Sequence, residues 1–300
     1  MWTWGVFGKM ALAGVMALVW LAAATPALRA EAPAPAPEIK EPEKPEALTG
    51  SVTADILSQY IFRGVAYSRD SVVMQPSFTL GYKGIAMNVW SNFDTCELNR
   101  FGLKKRNSRR AVINEVDFTV SYSREVYPGL TLTGGFIYYY LSNNTSRYDS
   151  QEIYGGFSYK FPWFEVGFAA FREVGHFPGT FLQWYVSRSI DLPWHGMSLD
   201  LYAGWSAELS NDKAAFPIPD DSTGGYKNQF YQSLHAGNLM ATLNVPIGKY
   251  VKVSPKIAYW YAMGGDSTAV IGNRGESNPG LSWDKKHNHV YGGVNLSVNF

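Results

Sequence analysis

From residue 47 to the C-terminus the chain alternates apolar and polar residues with a period of two, a rhythm that admits extended strands and little else. In residues 197–208, Met197, Leu199, Leu201, Ala203, Trp205 and Ala207 fall on one side, with Ser198, Asp200, Tyr202, Gly204, Ser206 and Glu208 on the other. Successive side chains of a strand point to opposite faces, so such a segment is a ribbon with one oily and one polar face. The same alternation runs through residues 85–94 and 130–140. Twelve such segments are found, at about 48–58, 72–82, 84–94, 111–123, 130–141, 151–160, 163–173, 179–190, 197–208, 234–245, 250–262 and 289–300. Each is near the ~9–11 residues that a tilted strand needs to cross a bilayer core, and a closed single-chain barrel requires an even number.

Composition narrows the choice further. Only 17% of the residues are charged although 46% are hydrophobic, too little charge for an ordinary soluble surface, where about 25% is typical. A net charge of +1 offers no basic excess for nucleic acid. The single cysteine, Cys96, excludes an intramolecular disulfide framework. At the N-terminus, Lys9, the apolar run 10–24 and the small residues Thr25, Ala27 and Ala30 read in the order of a secretory signal peptide, assigned to residues 1–30. Residues 31–46 are almost entirely Pro, Ala, Glu and Lys, a periplasmic linker that buries nothing. The barrel is assigned to residues 47–300.

The connections alternate as well. Tight turns at 82–84, 127–129, 161–163, 192–196 and 246–249 fall between longer loops, among them 95–110, 211–232 and 264–288. Short turns on one rim and long loops on the other are the outer-membrane arrangement and put both termini on the periplasmic side. Aromatics at the tight turns (Tyr82, Tyr127, Phe161, Trp163, Trp194, Tyr250) and at the opposite strand ends (Phe93, Tyr138, Tyr140, Trp205, Tyr259, Tyr261) would form two interfacial girdles. The last strand closes on Phe300, resembling the signal read by the barrel assembly machinery. Outer-membrane lipid and that machinery are therefore expected partners.

If the oily set faces lipid, the polar set lines the interior. Eight acids, Asp55, Asp94, Glu115, Asp117, Glu152, Glu165, Asp200 and Glu208, then face Lys252 and Lys256, with Arg63 added if the first strand extends that far. Uncompensated charges require a wet lumen, a paired network or both. Eight strands are just filled by side chains and sixteen leave a channel, so twelve leave a narrow one. The expectation is passive diffusion of small hydrophilic solutes with a mild cation preference; the alternative is a non-conducting structural or adhesive barrel.

Gln59, Tyr60, Ile61, Phe62, Arg63 and Gly64, followed by Pro76, Gly81, Tyr82, Gly84 and then Trp90, Ser91 and Asn92, resemble the opening signature of the TorF family of outer-membrane porins. The resemblance is sharpest over residues 50–94 and implies an outer-membrane barrel and a porin, without a substrate. Arg63 shares parity with Asp55, so a longer first strand would point both inward, with Asp55, Glu115 and Asp117 as candidate partners for the arginine.

An enzyme finds little support. Ser233 and His235 share a strand face whose parity matches Leu239, Ala241 and Leu243, which would place them toward lipid near the outer rim. An orienting third group, as hydrolytic triads need, does not accompany them. This outer-membrane lipid hydrolase is the second alternative. His287 and His289 form a pair near Asp284, short of the ligand set of a closed metal site. No catalytic residue, metal or cofactor is assigned. The reading is an all-β, twelve-stranded antiparallel transmembrane β-barrel acting as a small-solute pore.

Overall fold

The computed structural model describes residues 47–98, 109–142, 149–220, 222–272 and 281–300. The expected leader and linker, residues 1–46, lie outside these residues. Twelve strands hydrogen-bond in sequence order into one closed antiparallel barrel. They are β1 (Thr49–Leu57), β2 (Val73–Tyr82), β3 (Ile85–Leu98), β4 (Arg109–Tyr127), β5 (Leu130–Leu141), β6 (Ser150–Lys160), β7 (Glu165–Glu173), β8 (Gly179–Asp191), β9 (Ser198–Ser210), β10 (Gln232–Ile247), β11 (Val251–Ala262) and β12 (Asn288–Asn299). All twelve segments read from the alternation are strands. The seam joins β1 to β12, from Ser51 opposite Asn299 to Leu57 opposite Gly293, so each of the twelve strands has a neighbour on both sides.

The alternation becomes two surfaces. Outside, Val52, Phe78, Met87, Phe118, Val120, Leu132, Phe157, Leu201, Leu239, Ile257 and Leu296 are exposed large hydrophobics, far beyond the patch a soluble monomer presents. Tyr82, Tyr127, Phe161, Trp163, Trp194 and Tyr250 are exposed at the short-turn rim, and Tyr140 and Tyr259 near the other. Inside lie Ser51, Thr53, Thr79, Asn88, Thr119 and Ser121, half-buried and polar. The short turns are tight for local reasons: Lys83 and Gly84 have φ of 49° and 85°, as do His195 and Gly196 at 47° and 70°, the left-handed pair that a two-residue hairpin needs.

Two irregularities shape the interior. Between β3 and β4 the register shifts at Asn92, leaving Asn114 unmatched; it turns inward and bonds Asn92 and Glu97 at 2.8 and 3.0 Å. Between β9 and β10 it shifts between Trp205 and Ala207, which pair with Gly237 and Leu234, so His235 and Ala236 form a bulge. The expected outward placement of His235 is thereby overturned: its side chain is buried.

Three connections at the long-loop rim fold over the mouth. Segment 58–72 carries a miniature hairpin, Ile61–Phe62 with Val65–Ala66. Segment 211–231 brings Phe216, Ile218 and Tyr231, and the segment after β11 brings a short helix, α1 (Gly265–Ile271), and then Leu281–Asp284. Their apolar side chains form three small clusters with the wall: Leu57, Tyr60 and Val73; Val65, Ala236 and Ile271; Ile218, Tyr231 and Val270.

Candidate functional site

The tip of the 58–72 hairpin is Arg63–Gly64, with φ of 50° and 83°, the conformation of a type I′ turn that Asn-Gly ordinarily fills. An arginine there costs about 1–2 kcal/mol, and its side chain shows what holds it. Nη1 and Nη2 of Arg63 donate to Oε1 and Oε2 of Glu152 on β6 at 2.7 and 2.8 Å, a bidentate pair. The Tyr139 hydroxyl on β5 donates to the same carboxylate at 2.8 Å. The guanidinium carbon lies 4.2, 4.8 and 5.0 Å from the ring centres of Phe181, Phe62 and Phe171, within cation–π range. Burial alone would lower the affinity of this guanidinium for its proton; Glu152 more than offsets that, and the pKa rises. A Cβ on Gly64 would sit 2.6 Å from that of Ala236, so the tip is pressed against the far wall.

This corrects the expectation for Arg63. The first strand stops at Leu57, Arg63 belongs to the inserted hairpin, and its partner is Glu152 instead of Asp55, Glu115 or Asp117. Asp55 pairs with Lys256 at 2.5 Å. Glu115 accepts from the Tyr60 hydroxyl at 3.0 Å. Burial, with Glu115 and Asp117 close by, holds the Tyr60 phenol well above its usual pKa, keeping it a neutral donor.

The base of the hairpin is latched to the segment before β12. Ala66 N–H donates to Ser282 Oγ at 3.1 Å, and Trp283 N–H to the Ala66 carbonyl at 2.8 Å. Gln59 Nε2 donates to Asp284 Oδ2 at 2.8 Å, and His289 Nδ1 lies 3.2 Å from the same oxygen. Burial would raise the Asp284 pKa, but the hydrogen bonds from His289, Gln59 and the Lys286 backbone outweigh it and hold the carboxyl below its usual range. The His287/His289 pair of the sequence thus separates: His289 is buried in this latch and His287 is exposed. His235 also supports the hairpin, bonding the Arg63 backbone and, at 2.9 Å, the Tyr231 hydroxyl. Ser233 is not its partner.

The other sequence-selected residues are spread along the wall. Asp94 is buried and accepts from Cys96 N–H at 2.9 Å. Asp117 is half-buried, Glu165 accepts from Tyr185 at 2.7 Å, and Asp200 from Ser189 and Asn244 at 2.6 Å each. Glu208 is buried beside the Arg63 tip, while Lys252 is half-buried. Sequence reading missed Glu97 and Glu173, both buried; Glu173 accepts from Ser150 and from the N–H groups of Gln151, Gly175 and Phe177. Among the described residues no group of three or more His, Cys, Asp or Glu side chains could hold a metal ion.

Fold and site together define a closed twelve-stranded barrel with an apolar exterior, a polar interior and, among the described residues, a hairpin folded into its mouth around Arg63. The chain belongs to a family described as bacterial protein of unknown function (Gcw_chp), whose model matches residues 40–195 and so includes the hairpin, Tyr139 and Glu152. Among solved structures it is similar to the KdgM porin (10% identity, covering 83% of this chain and 99% of that one, TM-score 0.47). It is likewise similar to the NanC porin (11%, 84% and 99%, 0.47) and to the COG4313 outer membrane channel from Pseudomonas putida F1 (12%, 88% and 99%, 0.46). A comparison with curated proteins returns no match.

Proposed function

We propose that this protein is a bacterial outer-membrane channel of the TorF type, passing small hydrophilic solutes by diffusion through a lumen narrowed at its long-loop mouth. The carrying observation is the inversion of a soluble protein: large hydrophobics exposed all around the outside of a closed barrel that is polar within. Such a surface suits lipid, and such an interior suits water. Asp55, Asp94, Glu115, Asp117, Glu152, Glu165, Asp200 and Glu208 line this path with Arg63, Lys252 and Lys256. Two of the acids are paired with bases, Asp55 with Lys256 and Glu152 with Arg63, and the remaining excess favours cations mildly. Phe300, exposed beside Gly50 at the seam, is the point of recognition during assembly, with both termini periplasmic.

Planar-bilayer recordings of refolded protein test this reading. Discrete conductance steps with a reversal potential displaced toward the cation are expected. The folded-in hairpin favours a second reading, a non-conducting barrel that displays its outer loops. Silence from both the wild type and a variant lacking residues 59–71 would establish that reading and end the channel.

A further inference from the structure

Beneath the hairpin, the wall built by β6 to β9 is aromatic, whereas the β11, β12 and β1 wall carries Lys252, Lys256, Asp55 and Asn295. Register aligns Tyr154, Phe171 and Phe181 across β6, β7 and β8, and places Tyr185 between Gly167 on β7 and Gly204 on β9. The glycines decide how the rings lie. A Cβ on Gly135, opposite Tyr154, would fall 2.7 Å from that ring, and one on Gly204 would fall 2.6 Å from the Tyr202 hydroxyl. At Gly167 a Cβ would penetrate the Tyr185 ring. Glycine at these three positions leaves room for the Tyr154, Tyr185 and Tyr202 rings over the backbone, and at inward positions what these half-buried rings expose is turned to the lumen. Neighbouring rings overlap in offset stacks: Tyr154 and Phe171 are inclined by 21° with centres 5.2 Å apart, and Tyr185 and Tyr202 by 25° at 5.4 Å. All four are half-buried at inward positions. Polar groups edge the strip. Gln183 Nε2 donates to the Tyr202 hydroxyl at 2.8 Å, and Tyr185 donates to Glu165 at 2.7 Å.

We propose that Tyr154, Tyr185 and Tyr202 form a stacking platform for saccharides beside the Phe171 ring that Arg63 covers, so that the solutes of this lumen include neutral oligosaccharides. A pyranose has an apolar C–H face bounded by a ring of hydroxyls, and it matches flat rings edged by amide and carboxylate groups. Stacking is tolerant of sequence and linkage because it reads a face, while the polar edge fixes orientation. The inference deepens the channel reading, on which passage of solute along this wall rests.

Two measurements with maltotriose as probe separate the two ideas: current block of single channels, and calorimetric binding to protein in an amine-oxide detergent, which lacks a sugar headgroup. Wild type is expected to show concentration-dependent block and saturable binding. Tyr185→Leu and Tyr202→Leu are each expected to weaken both by about five- to tenfold, with discrete conductance steps still present in the absence of sugar. Tyr185→Phe, which keeps the ring over Gly167, is expected to retain binding even if a leucine variant fails to fold. Binding without conductance would keep the platform and overturn the channel. Conductance with no block, or leucine variants that bind as wild type does, would overturn the platform and reduce the rings to covers for their glycines.

Discussion

The two halves of the barrel interior are built on opposite terms. Toward the short turns, the wall offers hydroxyls and amides such as Ser51, Thr53, Thr79 and Thr119, half-buried and small. Toward the long loops, Tyr60, Val65, Ala66, Glu152, Tyr231, His235 and Ser282 are all buried, and most are supplied by connections instead of strands. Twelve strands enclose more room than their own side chains occupy, and among the described residues imported side chains fill it toward the long loops. Closure of the wall rests on its backbone ladders and exterior, so the filling can change without opening the barrel.

Removing residues 59–71 and bridging the gap with a tight turn tests that independence most severely. Conductance is expected to rise several-fold while unboiled protein keeps its barrel-like gel mobility; loss of that mobility would show that wall and filling stabilise each other. Arg63→Ala comes next, because it strands the Glu152 carboxylate, whose side chain is 5% exposed, at a cost of about 3–5 kcal/mol. Proteolysis of segment 58–72 in otherwise intact barrels reads the effect, and Arg63→Lys should recover only part, since an ammonium cannot reproduce the fork. Gly64→Ala combines a left-handed φ of 83° with a Cβ 2.6 Å from that of Ala236. It should loosen the same segment by about 1–2 kcal/mol, less than loss of the arginine.

The smallest effect is acid release of the latch. The folded pKa of Asp284 is depressed, so its contribution is complete above the unfolded value of about 4 and fades as pH falls through the folded one. Hydrogen exchange at Ala66 and Trp283 should quicken below about pH 4, and Asp284→Asn should remove that dependence.

The wall was legible because period two repeats twelve times and a one-residue slip would turn each oily face inward. The filling was hidden for three local reasons. Tyr60, Ile61 and Phe62 lie past the end given to the first strand, and a segment packed against its surroundings shows no alternation that would mark it as a separate hairpin. Arg63–Gly64 disguised a type I′ turn by putting arginine where asparagine is expected, although Gly64 carried the signal. The bulge at His235 and Ala236 reverses parity in mid-strand, which moved that histidine from an expected outward face into the interior. The inward acids were found by parity, but their partners were not, because Glu152 meets Arg63 across 89 positions of sequence.

The latch has a consequence for the order of assembly. Its two halves, Gln59 and Ala66 on one side and Ser282, Asp284 and His289 on the other, flank the first and last strands of the barrel, which are also the strands that meet at the seam. A growing chain therefore completes this latch only when the residues leading into its final strand have arrived beside the hairpin, so the fastened hairpin marks a nearly finished cylinder.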